Sequence, residues 1–203
     1  PTPPTSSAAS DVYKRQSLER VGDSEMIILK DTHAVDLRTF TPPGGMPVAE
    51  ALDVALSICE ALAFIHDRGI IHRDINPSNI IRTPDSSAIQ LIDFGLSTRF
   101  SHTETQTTPI QHLEGTLRYL APEQTGRINH PVDQRSDLYS LGATLFFLLT
   151  GQPVFTHEAP ERLVYAHLAD PPPDLLSLRP DAPPVLGQVI ARTLSKEASR
   201  RYQ

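Results

Sequence analysis

Two short runs of this chain carry side chains that could do chemistry together. The first, His72-Arg73-Asp74-Ile75-Asn76-Pro77-Ser78-Asn79, sets a carboxylate five residues ahead of an amide. The second, Asp93-Phe94-Gly95, brings another carboxylate nineteen residues after Asp74. Oxygens from Asp74, Asn79 and Asp93 could gather around a magnesium-type cation and line up a hydroxyl with a phosphate. Such a reaction asks the protein for positioning and charge neutralisation more than for covalent work.

The elements that must position these groups can be read on either side. Ala88-Ile89-Gln90-Leu91-Ile92 is a short apolar-rich strand that would deliver Asp93 at its end, after a turn at Pro84-Asp85-Ser86-Ser87. Upstream, residues 47–68 read as a helix. Cys59, the chain's one cysteine, falls there at helical spacing with Val48, Leu52, Ala55 and Leu62, which predicts a buried thiol and leaves no internal disulfide. Downstream, residues 143–149 are apolar nearly all round, as in a helix buried through the middle of a globule, and Gly151-Gln152-Pro153 stops it. Residues 161–169 predict a short helix and Pro171-Pro172-Pro173 a stiff connection. A last helix over 185–194 would place Val185, Val189, Ile190 and Leu194 in the core.

A third motif, Gly115-Thr116-Leu117-Arg118-Tyr119-Leu120-Ala121-Pro122-Glu123, ends in A-P-E. With H-R-D-x-x-x-x-N and D-F-G before it, the chain resembles the protein kinase superfamily, of the Ser/Thr type, from about Glu25 to its end. The resemblance implies an α+β protein-kinase-like fold. Of that fold this chain would be mainly the α-helical C-lobe, with the hinge and a small catalytic-loop β-hairpin. It implies ATP and Mg2+ as cofactors, a protein substrate presenting Ser or Thr, Asp74 as catalytic base, and Asn79 and Asp93 as nucleotide-side metal ligands. Thr116 would sit near Asp74. His72, Phe94 and Gly95 would serve structure, and Arg73 would receive a phosphate from the activation segment. Asp137 would brace the catalytic-loop backbone and Arg201 would pair with Glu123. Without the resemblance, Asp137 reads as a surface helix cap and Arg201 as a solvated cation.

The stretches Pro122-Glu123-Gln124-Thr125-Gly126-Arg127-Ile128-Asn129 and Asp133-Gln134-Arg135-Ser136-Asp137-Leu138-Tyr139-Ser140-Leu141-Gly142 narrow the likeness. They resemble the kinase-like domain that heads large kinase/ATPase/sensor histidine kinase proteins, which implies adjoining ATPase and histidine kinase modules as partners.

One position departs from the pattern. Most Ser/Thr kinases place Lys two residues after the catalytic Asp, and this chain has Asn76. An amide carries no charge to set against the transferred phosphate, and losing one electrostatic stabiliser commonly costs on the order of a hundredfold in rate. Asn76 therefore leaves open slow transfer, an altered substrate, or a pseudokinase that regulates a neighbouring module.

The upstream part is short. No G-x-G occurs to cover phosphates, and although Ile27-Ile28-Leu29-Lys30 imitates V-A-I-K, the sixteen residues 31–46 cannot hold a helix of roughly 11 residues with two strands of about 5 each. Residues 26–29 read as the last N-lobe strand, with Lys30, Asp31 and Thr32 as the hinge along which adenine would meet backbone. Lys30 and Thr32 are thus nucleotide-binding candidates. Pro1-Thr2-Pro3-Pro4 and the Ser, Thr and Ala after it make residues 1–16 a disordered or non-native leader, which resequencing of the locus would test. The expected organisation is leader 1–16, strand and hinge 17–46, and C-lobe 47–203, as a fragment of a longer protein.

Composition fits one soluble lobe: 203 residues, 39% hydrophobic and 21% charged, enough for one ordinary core. A net charge of -6 offers no basic face for nucleic acid, and no apolar run reaches membrane-spanning length, so a cytoplasmic location without membrane contact is the expectation. Residues 99–114 hold Ser101, Thr103, Thr105, Thr107 and Thr108; a phosphate there could pair with Arg73 and order the loop, or the loop could simply be polar and unmodified.

Overall fold

The computed structural model describes residues 17–21, 24–28, 34–83, 88–99 and 115–203. Two antiparallel strands open it, β1 (Ser17–Val21) and β2 (Ser24–Ile28). Then come β3 (Val35–Asp36), α1 (Leu37–Phe40), α2 (Val48–His66) and β4 (Ile70–Ile71). A 3-10 turn at Pro77–Asn79 leads into β5 (Ile80–Arg82) and β6 (Ile89–Leu91), followed by β7 (Thr98–Arg99). Two more 3-10 turns, Thr116–Tyr119 and Pro122–Thr125, precede α3 (Gln134–Thr150). The chain closes with α4 (Pro160–Ala169), α5 (Leu175–Leu178) and α6 (Pro184–Thr193).

The core forms around α3. Thirteen of its seventeen residues are buried, among them Tyr139, Phe146, Leu148 and Leu149, and it packs against α2 and α6. Its start is set by Asp133, whose carboxylate accepts the Arg135 N–H at 2.9 Å. Its end is set by Gly151, left-handed at φ 71° with its N–H on the Phe147 carbonyl. The close approach to α6 occurs at Gly142, where a Cβ would overlap the Thr193 hydroxyl and lie 2.8 Å from Thr193 Cβ.

On α2 the buried stripe is Ala51, Val54, Ala55, Ile58, Leu62 and Ile65. The helix is therefore turned from the expected stripe. Cys59 is exposed and Leu52 is 36% exposed, correcting the expectation of a buried thiol. The Cys59 thiol is nevertheless pushed up, by partial desolvation first and by Glu60 second, so it rests as the thiol at neutral pH. Ile190 on α6 and Leu194 at its C-cap are core as expected, while Val189 is only half-buried. Val185 is 62% exposed, and Leu186 takes its place inside.

Strands β5 and β6 pair antiparallel with Ile80 opposite Leu91, and β3 joins the other edge of β5 through Val35 opposite Arg82. β4 pairs with β7, Ile71 opposite Thr98. These two small sheets fix the ends of the segment 72–79 and of the segment 92–97. Strand β2 covers most of the strand expected at 26–29. Lys30 and Thr32, with the leader 1–16, the turn at 84–87 and the hydroxyls between 101 and 108, lie outside the described residues.

Candidate active site

The loop after β4 is held by one carboxylate from the first turn of α3. Asp137, fully buried, accepts the backbone N–H of His72 at 2.9 Å on Oδ2 and that of Arg73 at 2.7 Å on Oδ1. His66 Nε2 meets the same Oδ2 at 2.8 Å. Arg73 consequently sits at φ 68°, in the left-handed region that a side chain with a Cβ avoids. The expectation of a surface cap at Asp137 is thus replaced by a buried brace.

His72 is buried, with Nε2 3.2 Å from the Ile92 carbonyl and Nδ1 3.3 Å from the Asp74 N–H. Those partners assign the neutral tautomer with the proton on Nε2. Burial drives the imidazole pKa below its ordinary value, against the pull of Asp137 and Asp74. Its ring packs on Phe94 at 4.6 Å between centroids, which ties the segment 72–79 to Asp93-Phe94-Gly95.

The Asp74 carboxylate is held from several sides. Its Oδ1 accepts Asn76 Nδ2 at 2.9 Å and its Oδ2 accepts Asn79 Nδ2 at 2.7 Å; the same two amides reach its carbonyl at 3.2 and 3.0 Å. Thr116 adds a side-chain hydrogen bond. Burial outweighs all three and raises the carboxyl pKa above its ordinary range. Asn76 works in two directions, because its Oδ1 also accepts the Ser78 N–H at 2.9 Å and caps the 3-10 turn.

Asp93 is exposed and left-handed at φ 61°, and its Oδ1 accepts the Gly95 N–H at 3.1 Å. With Asn79 Nδ2 spent on Asp74, the amide oxygen of Asn79 and the carboxylate of Asp93 are hard oxygen donors of the type magnesium takes. Among the described residues no group of three or more His, Cys, Asp or Glu could hold a metal by itself.

Glu123 and Arg201 join the wall behind the site. The carboxylate accepts Arg201 Nη1 at 2.6 Å and Nη2 at 2.9 Å, together with Ser136 Oγ at 2.7 Å. Carbonyls of Arg135, Ser195 and Lys196 take the remaining guanidinium protons.

Sequence reasoning passed over two groups. Gln124, next to Glu123, donates Nε2–H to the Arg73 carbonyl at 2.7 Å. His167 of α4 is buried against Tyr139, whose hydroxyl lies 2.9 Å from Nδ1; burial first and Lys196 second lower its pKa to about 3. No spacing marked either of them.

Comparison with known proteins gives one answer. The family model described as protein kinase domain matches residues 14–202. Serine/threonine-protein kinase PknB of Mycolicibacterium smegmatis is 35% identical over 184 residues, covering 90% of this chain and 29% of that protein. PknB of Mycobacterium tuberculosis is 34% identical over 183 residues, with 90% and 29% covered, and PknF of the same organism is 37% identical over 182 residues, with 88% and 37% covered. The chain thus spans about a third of the length of these curated relatives.

Proposed function

Since this chain belongs to the protein kinase family, we propose that it contributes the catalytic loop and helical lobe of a serine/threonine kinase that passes the γ-phosphate of ATP to a Ser or Thr hydroxyl. Asp74 carries the reading. A carboxylate fixed from both oxygens by Asn76 and Asn79, and raised in pKa by burial, is oriented and tuned to take a proton from an approaching hydroxyl. Asn79 and Asp93 would hold Mg2+, which when bound neutralises charge on the nucleotide phosphates. Thr116 steadies Asp74, while His72, Phe94 and Gly95 keep Asp93 in reach.

The lobe assignment belongs to the same proposal. Residues 47–203 would form the C-lobe, residues 17–46 the last N-lobe strand and hinge, and residues 1–16 a leader. Adjoining ATPase and histidine kinase modules, and a cytoplasmic location, fit the likeness to large kinase/ATPase/sensor proteins. Asn76 favours a second reading, a pseudokinase that regulates such a module, because it supplies no positive charge beside the phosphate.

Phosphate transfer from Mg-ATP, measured in the protein with its native flanking sequence, tests both readings. Transfer that Asp74→Asn abolishes is the result expected for the kinase. Wild type that binds ATP and transfers nothing would overturn it in favour of the regulatory reading.

A further inference from the structure

The peptide that joins Arg73 to Asp74 decides where the Asp74 carboxylate points, and it is bent into a conformation its residues do not choose by themselves. Arg73 is left-handed without being glycine or asparagine. The neighbouring groups are held by other partners: Asp137 fixes the N–H of His72 and of Arg73, and His72 Nδ1 faces the N–H of Asp74. The Arg73 carbonyl, on the other side of the same peptide, needs a donor from elsewhere in the chain.

Gln124 is that donor. Its Nε2 lies 2.7 Å from the Arg73 oxygen, fifty-one residues away in sequence. The amide has only one workable orientation. Its Oε1 accepts the Ala121 N–H at 3.2 Å, so the nitrogen must face the carbonyl; the reverse assignment would set oxygen against oxygen and N–H against N–H. The backbone beneath it is equally fixed, since the Gln124 N–H donates to the Ala121 carbonyl at 3.0 Å. The adjacent residue, Glu123, is locked to Arg201 and Ser136. The turn Pro122–Thr125 therefore has one side chain anchored in the helical wall and the next reaching across to the loop that bears Asp74.

We propose that Gln124 is a positioning residue for the transfer reaction: through the Arg73 carbonyl it holds the Arg73–Asp74 peptide, and so aims the Asp74 carboxylate. The kinetic part of this inference rests on the proposed kinase activity; the clamp itself does not. Because the side-chain hydrogen bonds of Gln124 go to backbone at Arg73 and Ala121, and not to Asn79, Asp93 or the Asp74 carboxylate, its loss should slow the chemical step and leave nucleotide affinity alone.

The isosteric change Gln124→Glu is the informative variant. It keeps size and the acceptor for Ala121, and replaces the donor with an oxygen that repels the Arg73 carbonyl. Two readouts are taken on the same protein: Mg-ATP phosphotransfer kinetics, and amide hydrogen exchange of residues 71–75 with α6 as the internal reference. The expected result is a kcat at least tenfold lower with KM for ATP within twofold of wild type. Exchange in 71–75 should rise at least tenfold while α6 is unchanged. Exchange in 71–75 within twofold of wild type overturns the proposal, whatever the kinetics. Should wild type transfer no phosphate, the kinase reading fails and the exchange comparison still decides the clamp. If Gln124→Glu does not fold, Gln124→Met is measured in the same way, with the same two limits on exchange.

Discussion

The guanidinium of Arg201 and the carboxylate of Glu123 form a two-pronged ion pair, 2.6 and 2.9 Å, between side chains that are 0% and 2% exposed. A pair this deep has lost its water, so what matters is the penalty for leaving one member behind. Arg201→Met is expected to cost about 3–5 kcal/mol of folding stability, and Glu123→Leu a similar amount. The double variant should cost clearly less than the two together, because it leaves no lone buried charge. Urea unfolding of the four proteins checks this.

Asp137 supports a more local prediction. Asp137→Ala strands the buried N–H of His72 and the partly buried N–H of Arg73, and should cost about 2–4 kcal/mol. It also frees Arg73 to leave φ 68°, so phosphotransfer should fall below a tenth of wild type even at temperatures where the protein is folded. Near-ultraviolet circular dichroism and activity recorded together separate the two effects.

Asn76→Lys should move stability and activity in opposite directions. The lysine cannot accept the Ser78 N–H, and loss of that cap should cost about 1 kcal/mol. On the proposed kinase reading its charge would sit beside the transferred phosphate, and kcat should rise tenfold or more. An unchanged kcat would show that the missing charge is supplied by another cation or is not required.

Acid should destabilise this fold sooner than its carboxylates alone would. His72 and His167 are both held neutral by burial, His167 down to about 3. Their stabilising contribution is complete above the unfolded value near 6.5 and is lost as pH falls toward the folded values, for His167 at roughly 1 kcal/mol per pH unit. Asp74, raised by burial, works in the opposite sense at lower pH and offsets part of the loss. His167→Gln is expected to flatten the decline in urea-derived stability between pH 7.5 and 5.5.

Gly142 tests the packing of α3 on α6. Gly142→Ala puts a methyl into the Thr193 side chain and should cost about 1–3 kcal/mol despite alanine's better helix propensity. Thermal denaturation should show a lower midpoint.

What the residue order reveals depends on how local the cause is. The loop motifs and the central helix were legible, since each has a compact pattern: H-R-D-x-x-x-x-N, D-F-G, A-P-E, and an apolar run closed by Gly151. The facing of α2 was not. Val48, Leu52, Ala55, Cys59 and Leu62 satisfy helical spacing as well as the stripe that is buried, and only packing on α3 chooses between them. The two stripes share Ala55 and Leu62, so a modest rotation carries Cys59 outside. Val185 went the same way: at the first turn of α6 either it or Leu186 could face inward. Gln124 was unreadable because its purpose lies in a carbonyl fifty-one residues earlier, and a hydrogen bond of that kind leaves no period in the sequence.

The brace from Asp137 and the anchor at Arg201 also govern when the site can exist during synthesis. A ribosome makes Asp74 well before it makes the carboxylate that bends the loop, and the residue that locks Glu123 comes later still. At about 5–20 residues per second, the newborn loop waits several seconds for each of them. A growing chain therefore presents the H-R-D residues without their geometry until translation has passed both Asp137 and Arg201.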